Sequence, residues 1–340
     1  VAQKTSRCGS RESPRIGAAG KTFMVRTMLD FTGCTNCELQ IEGILKASDD
    51  TNYWSDYRQI ISVNSANDAK IRSVTGSGII DGNGQAAWDR YAQDSSLTRP
   101  ILFRVEGKSK KVTVANLLVK NSPSFFFLTE GDSVDTLFQD LSLTSNSKSE
   151  YPAKNTDGID IGKAKHTTLR NITIQNQDDC VAFKPGADYV IVDGIHCKGS
   201  HGISVGSLGK GIGKDDTVTN VYVRNAIMDG ATKGVGIKLY PGAPNFGTAY
   251  VKNITWEDFT IKGAEYAVQI QSCYNKDYDY CETNPTTAVL QDIKMRNFKG
   301  TTGTKHGNIV ANMNCPVGKT CGITFEKFDV KSPSGERIFL

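Results

Sequence analysis

Four short segments contain the residue types that an acid–base hydrolase needs. Together they supply three carboxylates, a histidine and a lysine, at intervals close to one structural repeat. The segments are Asn155-Thr156-Asp157, Gln177-Asp178-Asp179-Cys180, Ser200-His201-Gly202 and Gly236-Ile237-Lys238. Carboxylates gathered in one cleft repel one another, which raises the pKa of at least one of them. A protonated acid beside an ionised base is what cleavage of a glycosidic bond requires.

The spacing of these residues indicates how they are brought together. Asp157 and Asp178 are separated by nearly the same number of residues as Asp179 and His201. In a stack of coils of that length, such positions return to the same strand one coil later, and their side chains converge on one face. The structural alternative is that the acids only cap turns, as an Asp followed by Gly often does, and that the histidine is an ordinary loop residue.

A recurring pattern along the chain predicts the elements that position these residues. Apolar residues alternate around a small polar residue, in short runs rich in Val, Ile, Thr and Phe, and almost no segment has helical periodicity. The polar marks are Asn116, Asp140, Asn171, Asp193, Asn225, Asn253 and Asp292. We interpret the pattern as an all-β fold, a right-handed parallel β-helix (solenoid) of about ten coils that stack their inward side chains into one core.

Two other architectures also give many short strands. Propeller blades would repeat more evenly, at roughly 40 residues, and a β-sandwich of this length would show a boundary. No Pro-rich or low-complexity linker occurs, so we predict one catalytic domain over residues 1–340. The polar segment from Cys8 to Thr35 and the last coil from Thr320 are expected to be caps, with a short N-terminal capping helix around Thr27.

Composition limits the classes of function. The charged fraction is 22% and the net charge is +4, with both signs interspersed. This modest basic excess suits a polyanionic ligand, although solubility alone explains it equally well. No apolar run approaches the roughly 20 residues that cross a bilayer, and the first residues lack a signal-peptide core. We therefore expect a soluble, already processed protein, a monomer without a membrane or nucleic-acid partner.

Cysteines and sequons favour an extracellular location. The nine cysteines include close pairs that local disulfides can join, such as Cys315 and Cys321, and N-x-T sequons occur at Asn171 and Asn253. The two asparagines are candidates for glycosylation or for turn positions within the repeat. The Cys34-x-x-Cys37 motif would need two further ligands to bind zinc, so a disulfide is favoured there. The odd number leaves one cysteine without a partner in the chain.

The four segments, in this order and at this spacing, resemble the signature segments of glycoside hydrolase family 28, the polygalacturonase family. Further matches are Asp81-Gly82-Asn83-Gly84, the Cys180 and Cys197 pair, and Tyr266 followed by Tyr274. The resemblance covers about residues 60 to 335. It implies a pectin-degrading, secreted hydrolase that inverts the anomeric carbon and needs neither a metal nor an organic cofactor.

The resemblance also assigns roles to single residues. Asp178 is the expected general acid, and Asp157 and Asp179 are expected to activate the attacking water. His201 is expected to hydrogen-bond near the acid and to set its protonation. The expected substrate-binding residues are Asn155, Gln177, Lys238, Tyr274 and the position of Gly236.

One departure from the family pattern bears on the substrate. Most polygalacturonases have Arg-Ile-Lys where this chain has Gly236-Ile237-Lys238. Arginine grips a carboxylate with two parallel hydrogen bonds, so its loss calls for another cation, for which Lys210, Lys214 and Lys233 are candidates. Glycine also opens space beside the cleaved bond. We therefore predict cleavage of α-1,4-galacturonosyl linkages in xylose-substituted galacturonan, with an endo- or exo-polygalacturonase on unbranched galacturonan as the alternative.

Two further classes share the predicted fold. A pectate lyase uses calcium, but the acids here are spaced one coil apart and form no compact loop of oxygen ligands. A structural or adhesive β-helix would use the same acids only in turns. Chelator sensitivity, unsaturated products and the effect of replacing Asp178 separate these classes from a hydrolase.

Overall fold

Short parallel strands make up most of the chain in this computed structural model, which describes residues 15–17, 19–316 and 321–340. Contacts between Cα atoms divide the chain into two compact units. The first unit runs to Asp160 and includes Ala164–Asp178, and the second comprises Ile161–Lys163 and Asp179–Leu340. The short strand β13, Ile159–Ile161, falls at the division.

The first unit consists of two rows of parallel strands. Its strands are β1 Arg15–Ile16, β2 Thr22–Val25, β3 Leu29–Asp30, β4 Thr35–Ile41, β5 Ile44–Ala47, β6 Gln59–Asn64, β7 Asn67–Arg72, β8 Ile79–Asp81, β9 Ile101–Glu106, β10 Lys110–Lys120, β11 Phe127–Thr129, β12 Ser133–Thr144 and β14 Ala164–Gln175. One row has the order β1-β4-β7-β10-β12-β14, in which β8 also pairs with β10, β5 with β8 and β2 with β5. The other row has the order β3-β6-β9-β11. Its helices are α1 Thr51–Trp54 and α2 Gln85–Gln93.

The second unit repeats the same arrangement. Its strands are β15 Val181–Phe183, β16 Ala187–Lys198, β17 Ile203–Leu208, β18 Asp215–Asp229, β19 Lys233–Leu239, β20 Thr248–Ala264, β21 Tyr266–Gln271, β22 Val289–Thr302, β23 Ile309–Asn314, β24 Ile323–Lys331 and β25 Ile338–Phe339, and its helix is α3 Tyr278–Thr283. The two rows have the orders β16-β18-β20-β22-β24 and β15-β17-β19-β21-β23-β25. The predicted parallel β-helix is therefore confirmed.

Residues with positive φ explain the polar marks of the repeat. In β12, Asp140 has φ of +51°, and the buried side chains before and after it are Phe138 and Leu141, three positions apart. A regular strand would bury every second residue. A left-handed residue inserts one extra position and bends the chain, and Asn and Asp tolerate that conformation better than most residues. The polar mark is thus a bend, or corner, within a strand.

The second unit has two columns of such corners, each made of residues at equivalent positions of neighbouring strands. The predicted series of polar marks does not separate these columns, and the structure corrects it. The first column contains Gly194, Asn225, Asp258, Asn297 and Lys327, and the second contains Tyr189, Asn220, Asn253 and Asp292. The predicted mark Asp193 lies one residue before the corner at Gly194, and after Asn225 the predicted series moves from the first column to the second. Both columns follow an alternating apolar pattern, so the sequence pattern does not distinguish them.

Aromatic rings in contact fill part of each core; they are tilted or edge-on in the first unit and stacked in the second. In the first unit, the ring centroid of Phe127 lies 5.4 Å from that of Phe103 and 5.0 Å from that of Phe138. In the second unit, Phe298 lies 4.6 Å from Phe259 and 5.4 Å from Phe328. Because coils stack in register, one inward position repeats as a ladder, and each aromatic pair contributes about 0.5–1.5 kcal/mol beyond its buried area.

The N-terminal region differs from the prediction. Thr27 lies between β2 and β3 and is not helical. The run Thr22–Val25 is rich in β-branched and apolar residues and pairs in parallel with β5, so sheet pairing prevails over a capping helix. Cys8 and Thr320 lie outside the described residues.

Four disulfide bonds are present within the described ranges. They join Cys34 to Cys37, Cys180 to Cys197, Cys273 to Cys281 and Cys315 to Cys321. Each closes a short loop, which suits a solenoid because its contacts are local. Among the described residues, no helix has the length and apolar character needed to cross a membrane.

Candidate active site

In the first unit, the loop before β13 presents Asn155 and Asp157. Asn155 has φ of +59°, and Asp157 is only 3% exposed. The side-chain amide of Asn155 donates to Oδ2 of Asp178 at 3.4 Å, and Oε1 of Gln177 accepts the backbone N–H of Ala153. Two of the predicted substrate-binding residues therefore hold the loop and one predicted catalytic carboxylate in place.

Arg99 anchors the same loop and was not found from the sequence. Its guanidinium donates to the carbonyl oxygens of Pro123 and Lys154 at 3.1 and 2.6 Å, and to Oδ1 of Asn155 at 2.7 Å. It also lies 3.6 Å from the centroid of the Tyr91 ring. No local signal marks this residue, because Asn155 is 56 positions away in the sequence.

Arg99 also acts electrostatically on the predicted catalytic acids. Burial lowers the pKa of Arg99, and its interactions with Tyr91, Asp178 and Asp157 oppose that shift. The attraction is mutual, so the guanidinium favours the ionised forms of both aspartates. The first unit thus places a cation, an amide and two carboxylates in one neighbourhood.

In the second unit, Asp179 is buried among cations. It is 2% exposed, accepts bonds from Nζ of Lys238 at 2.9 and 2.7 Å on its two oxygens, and lies 3.8 Å from Nζ of Lys233. The hydroxyl of Ser204 donates to it at 2.8 Å. Burial would raise the pKa of Asp179, but the charges of Lys233, Lys238 and Lys184 together hold the pKa far below its ordinary value. Asp179 is therefore ionised.

The register of the second unit explains how these residues meet. Strands β15, β17 and β19 pair in parallel, and Asp179, His201 and Lys233 each stand two positions before equivalent residues of the three strands. The interval between Asp179 and His201 thus corresponds to one coil. Nζ of Lys233 also donates to the carbonyl oxygen of His201 at 2.7 Å. One lysine therefore contacts the backbone of His201 and lies beside the carboxylate of Asp179.

A group of three aromatic rings adjoins Lys238. Its Nζ lies 5.6 Å from the centroid of the Tyr274 ring, and the buried Tyr240 meets that ring edge-on at 5.5 Å. Tyr240 stacks on Phe246 at 5.2 Å. The carboxylate of Asp179 raises the pKa of Lys238 above its ordinary value, although burial acts in the opposite direction. Lys238 is consequently a fixed cation with an aromatic neighbour.

Comparison with known families identifies the class of enzyme. The sequence profile described as "Glycosyl hydrolases family 28" matches residues 8–338. The chain belongs to glycosyl hydrolase family 28. This family-28 chain is a glycoside hydrolase, as the four segments predicted.

Several relatives of this family-28 chain have a specific name. "Endo-xylogalacturonan hydrolase A" of Aspergillus tubingensis is 47% identical over 336 residues, which is 99% of this chain and 82% of the relative. "Probable endo-xylogalacturonan hydrolase A" of Aspergillus flavus is 48% identical over 322 residues, covering 95% of this chain and 79% of the relative.

Solved structures agree with the fold. The crystal structure of endo-xylogalacturonan hydrolase from Aspergillus tubingensis has a TM-score of 0.93 and 48% identity, covering 96% of this chain and 86% of that one. A polygalacturonase from Erwinia carotovora ssp. carotovora has a TM-score of 0.71 and 21% identity, with 94% and 85% coverage, and supports the fold alone.

The structure changes the interpretation of Gly236 in this family-28 hydrolase. A Cβ atom added there would lie 2.7 Å from Cδ and 2.8 Å from Cε of Lys233, and 2.6 Å from the carbonyl oxygen of Gln269. The glycine therefore makes room for the stem of Lys233 at this point, and the expected opening for substrate is wrong there. Of the three candidate lysines, Lys210 and Lys214 lie in the exposed loop between β17 and β18.

A groove in the first unit lies beside the Asn155 loop. It encloses about 450 Å³ and is lined by Arg58, Tyr91, Leu97, Thr98, Arg99, Ile101, Arg104, Ser124, Phe125, Leu128 and Asn155. Arg104 is paired with Glu106 and Glu130. Arg58 is exposed, and within the described ranges its side chain forms no ion pair or hydrogen bond. The groove thus combines an apolar floor with a free guanidinium at its surface.

The two sequon asparagines occupy corners of the coils. Asn171 has φ of +53° and donates to Oδ1 of Asp140 at 2.7 Å, and Asn253 has φ of +56° and donates to Oδ1 of Asn220 at 2.7 Å. Both are exposed. Each asparagine has a structural role in its column, and glycosylation of either remains a prediction.

Proposed function

We propose that this chain is a secreted, monomeric endo-hydrolase that cleaves α-1,4-galacturonosyl linkages in xylose-substituted galacturonan, with inversion at the anomeric carbon. The observation that carries the proposal is its 47% identity, over 99% of its length, to a relative named endo-xylogalacturonan hydrolase A. The whole chain acts as one catalytic domain, without a metal or an organic cofactor. Four disulfides support extracellular action.

The contrast between two consecutive aspartates supports the acid and base roles. Asp179 is buried between lysines that keep it ionised, whereas Asp178 is partly exposed to solvent. Two carboxyls in such different environments take different roles. Asp178 gives its proton to the leaving glycosidic oxygen. Asp179 and Asp157 take a proton from the water that attacks the anomeric carbon from the opposite face.

The surrounding residues bind and orient the sugar. His201 sets the protonation of the acid, and Asn155 and Gln177 orient carboxylates and sugar hydroxyls. Lys238 and Tyr274 form a cation and a ring beside the cleaved bond, where the ring contacts the sugar face. The role of Gly236 is indirect, since it accommodates Lys233.

The groove beside Asn155 supports a polyanionic substrate. Arg58 offers an exposed guanidinium, and Phe125 and Leu128 offer apolar surface to a sugar ring. Every galacturonosyl unit carries a carboxylate, and arginine binds carboxylates in bidentate geometry. The net charge of +4 also favours association with such a polyanionic polymer.

Product analysis tests the proposal. The purified protein is incubated with xylogalacturonan and with unbranched polygalacturonate, and products are separated by chromatography while proton NMR follows the first anomer formed. We expect a preference for the branched polymer, internal cleavage and the inverted anomer. A strong preference for the unbranched polymer supports a polygalacturonase instead, and unsaturated products with chelator sensitivity support a lyase.

A matched pair of variants tests the roles. Asp178→Asn removes the proton of the acid and keeps its shape, so the rate is expected to fall by at least about 10²-fold. Exchange of Asp140 for Asn, at a corner of β12, is the control and should leave the rate unchanged. An active Asp178→Asn enzyme would return this residue to a structural role.

A further inference from the structure

The side chain of Lys233 occupies space that any side chain at position 236 would fill. The glycine lies three residues further along β19, and a Cβ atom on it would come within 2.8 Å of two carbons of the lysine stem. Real Cβ atoms do not approach other carbons so closely. A side chain at position 236 would therefore displace the Lys233 side chain from its present course toward Asp179.

The ammonium group of Lys233 lies beside two parts of the site. It is 3.8 Å from Oδ1 of Asp179 and donates at 2.7 Å to the carbonyl oxygen of His201. The residue is 3% exposed, so its charge acts in a medium that screens poorly. A buried ammonium here favours the ionised carboxylate and at the same time fixes the chain that carries the imidazole.

Several other groups face Asp179. Lys238 binds both carboxylate oxygens, Lys184 adds a further positive charge, and the hydroxyl of Ser204 donates to one oxygen. Asp178, the preceding residue, carries a carboxyl of its own. Lys233 thus adds to an existing ion pair rather than forming the only one, and its removal should shift the behaviour of Asp179 without abolishing its ionisation at neutral pH.

We propose that Lys233 is a positioning residue that keeps Asp179 in the basic form and holds the His201 backbone, and that Gly236 leaves room for the Lys233 stem as well as for the carbonyl oxygen of Gln269. The proposal rests on the hydrolytic function proposed above and deepens it. Lys233 acts through Asp179 and His201, so its loss alters the pH dependence of the reaction more than the binding of substrate.

The primary test is the pH profile of kcat/KM for Lys233→Met, which keeps the stem and removes the charge. A base must be ionised, and removal of a positive charge raises its pKa. We expect the acid limb of the profile to move to higher pH by about one to two units, the effect of an opposite charge within ~4–6 Å. Lys299→Met, at an exposed position of β22, is the control and should leave the profile unchanged.

Two glycine variants provide a second test that keeps every charge. Gly236→Ala places a methyl group against the Lys233 stem and 2.6 Å from the carbonyl oxygen of Gln269. Gly234→Ala meets a similar backbone oxygen, that of Ala267 at 2.5 Å, but no lysine. We expect the acid limb to move to higher pH in Gly236→Ala and not in Gly234→Ala, and this comparison decides the matter if Lys233→Met does not fold.

Three results would overturn the proposal. These are an unchanged profile in Lys233→Met, equal shifts in the two glycine variants, or a raised KM with an unchanged profile, which would mean that Lys233 binds substrate directly. In each of these cases the wild-type protein still hydrolyses the polymer. Absence of hydrolysis by the wild-type protein would refute the proposed function itself and is thereby distinguishable.

Discussion

Replacement of Lys238 by methionine tests how strongly the buried ion pair contributes to the fold. Nζ of Lys238 contacts both oxygens of Asp179 at 2.9 and 2.7 Å, and both side chains are at least nine-tenths buried. At an effective dielectric constant of ~20, unit charges this close attract by about 4–6 kcal/mol. Removing one partner of a buried pair typically costs about 3–5 kcal/mol, because the other charge stays buried. We expect about 3 kcal/mol, since Lys233 remains nearby.

The pH dependence of this loss gives the sharper result. The pKa of Asp179 is depressed in the folded state, so its stabilising effect is present above the ordinary value of about 3.9 and is lost only as pH falls through the folded value. In the Lys238→Met protein the pKa of Asp179 rises, and protonation relieves the buried charge at a higher pH than in the wild type. The difference in unfolding free energy between the two proteins should therefore be large at pH 7 and smaller near pH 4.

Urea unfolding followed by tryptophan fluorescence at both pH values measures the two differences. A double-mutant cycle with Asp179→Asn isolates the coupling between the two side chains. Lys210→Met, on the exposed loop, should stay within about 0.5 kcal/mol of the wild type. A difference below about 1 kcal/mol at pH 7, or one that is equal at both pH values, would refute the reasoning.

Three further predictions concern other parts of the molecule. Arg99→Met should lower kcat/KM and move its pH profile to higher pH, because a cation near two proposed catalytic carboxylates is lost. Arg99→Lys should keep the profile, and identical profiles for the two variants would contradict this prediction. Arg58→Met should raise KM for galacturonan and weaken its dependence on salt, with little change in kcat, as kinetics at two ionic strengths will show. Phe298→Ala should reduce the unfolding free energy by about 3–5 kcal/mol, and Phe298→Leu by less; equal losses would argue against a stacked ladder.

The repeat and the family were readable from the sequence because both depend on short-range patterns. Alternating apolar residues report strands, and Asn or Asp within a strand reports a corner, as Asp140 in β12 does. The same local pattern gave a wrong alignment where two columns of corners share it. The predicted series of polar marks therefore passed from Asn225 in the first column to Asn253 in the second. A capping helix at Thr27 was wrong for a related reason, since parallel pairing with a later strand decided the conformation there.

The sequence by itself determined the residue types of the site, including the consecutive aspartates Asp178 and Asp179 with their different expected roles. Only the tertiary structure decided which partners they have. Asp179 binds Lys238 across 59 positions, and the loop of Asn155 is anchored by Arg99 across 56. Such contacts depend on the number of residues in the loops of each coil and on the register of neighbouring strands. Neither quantity produces a periodic pattern in the sequence. For the same reason, the link between Gly236 and Lys233 is visible only in three dimensions.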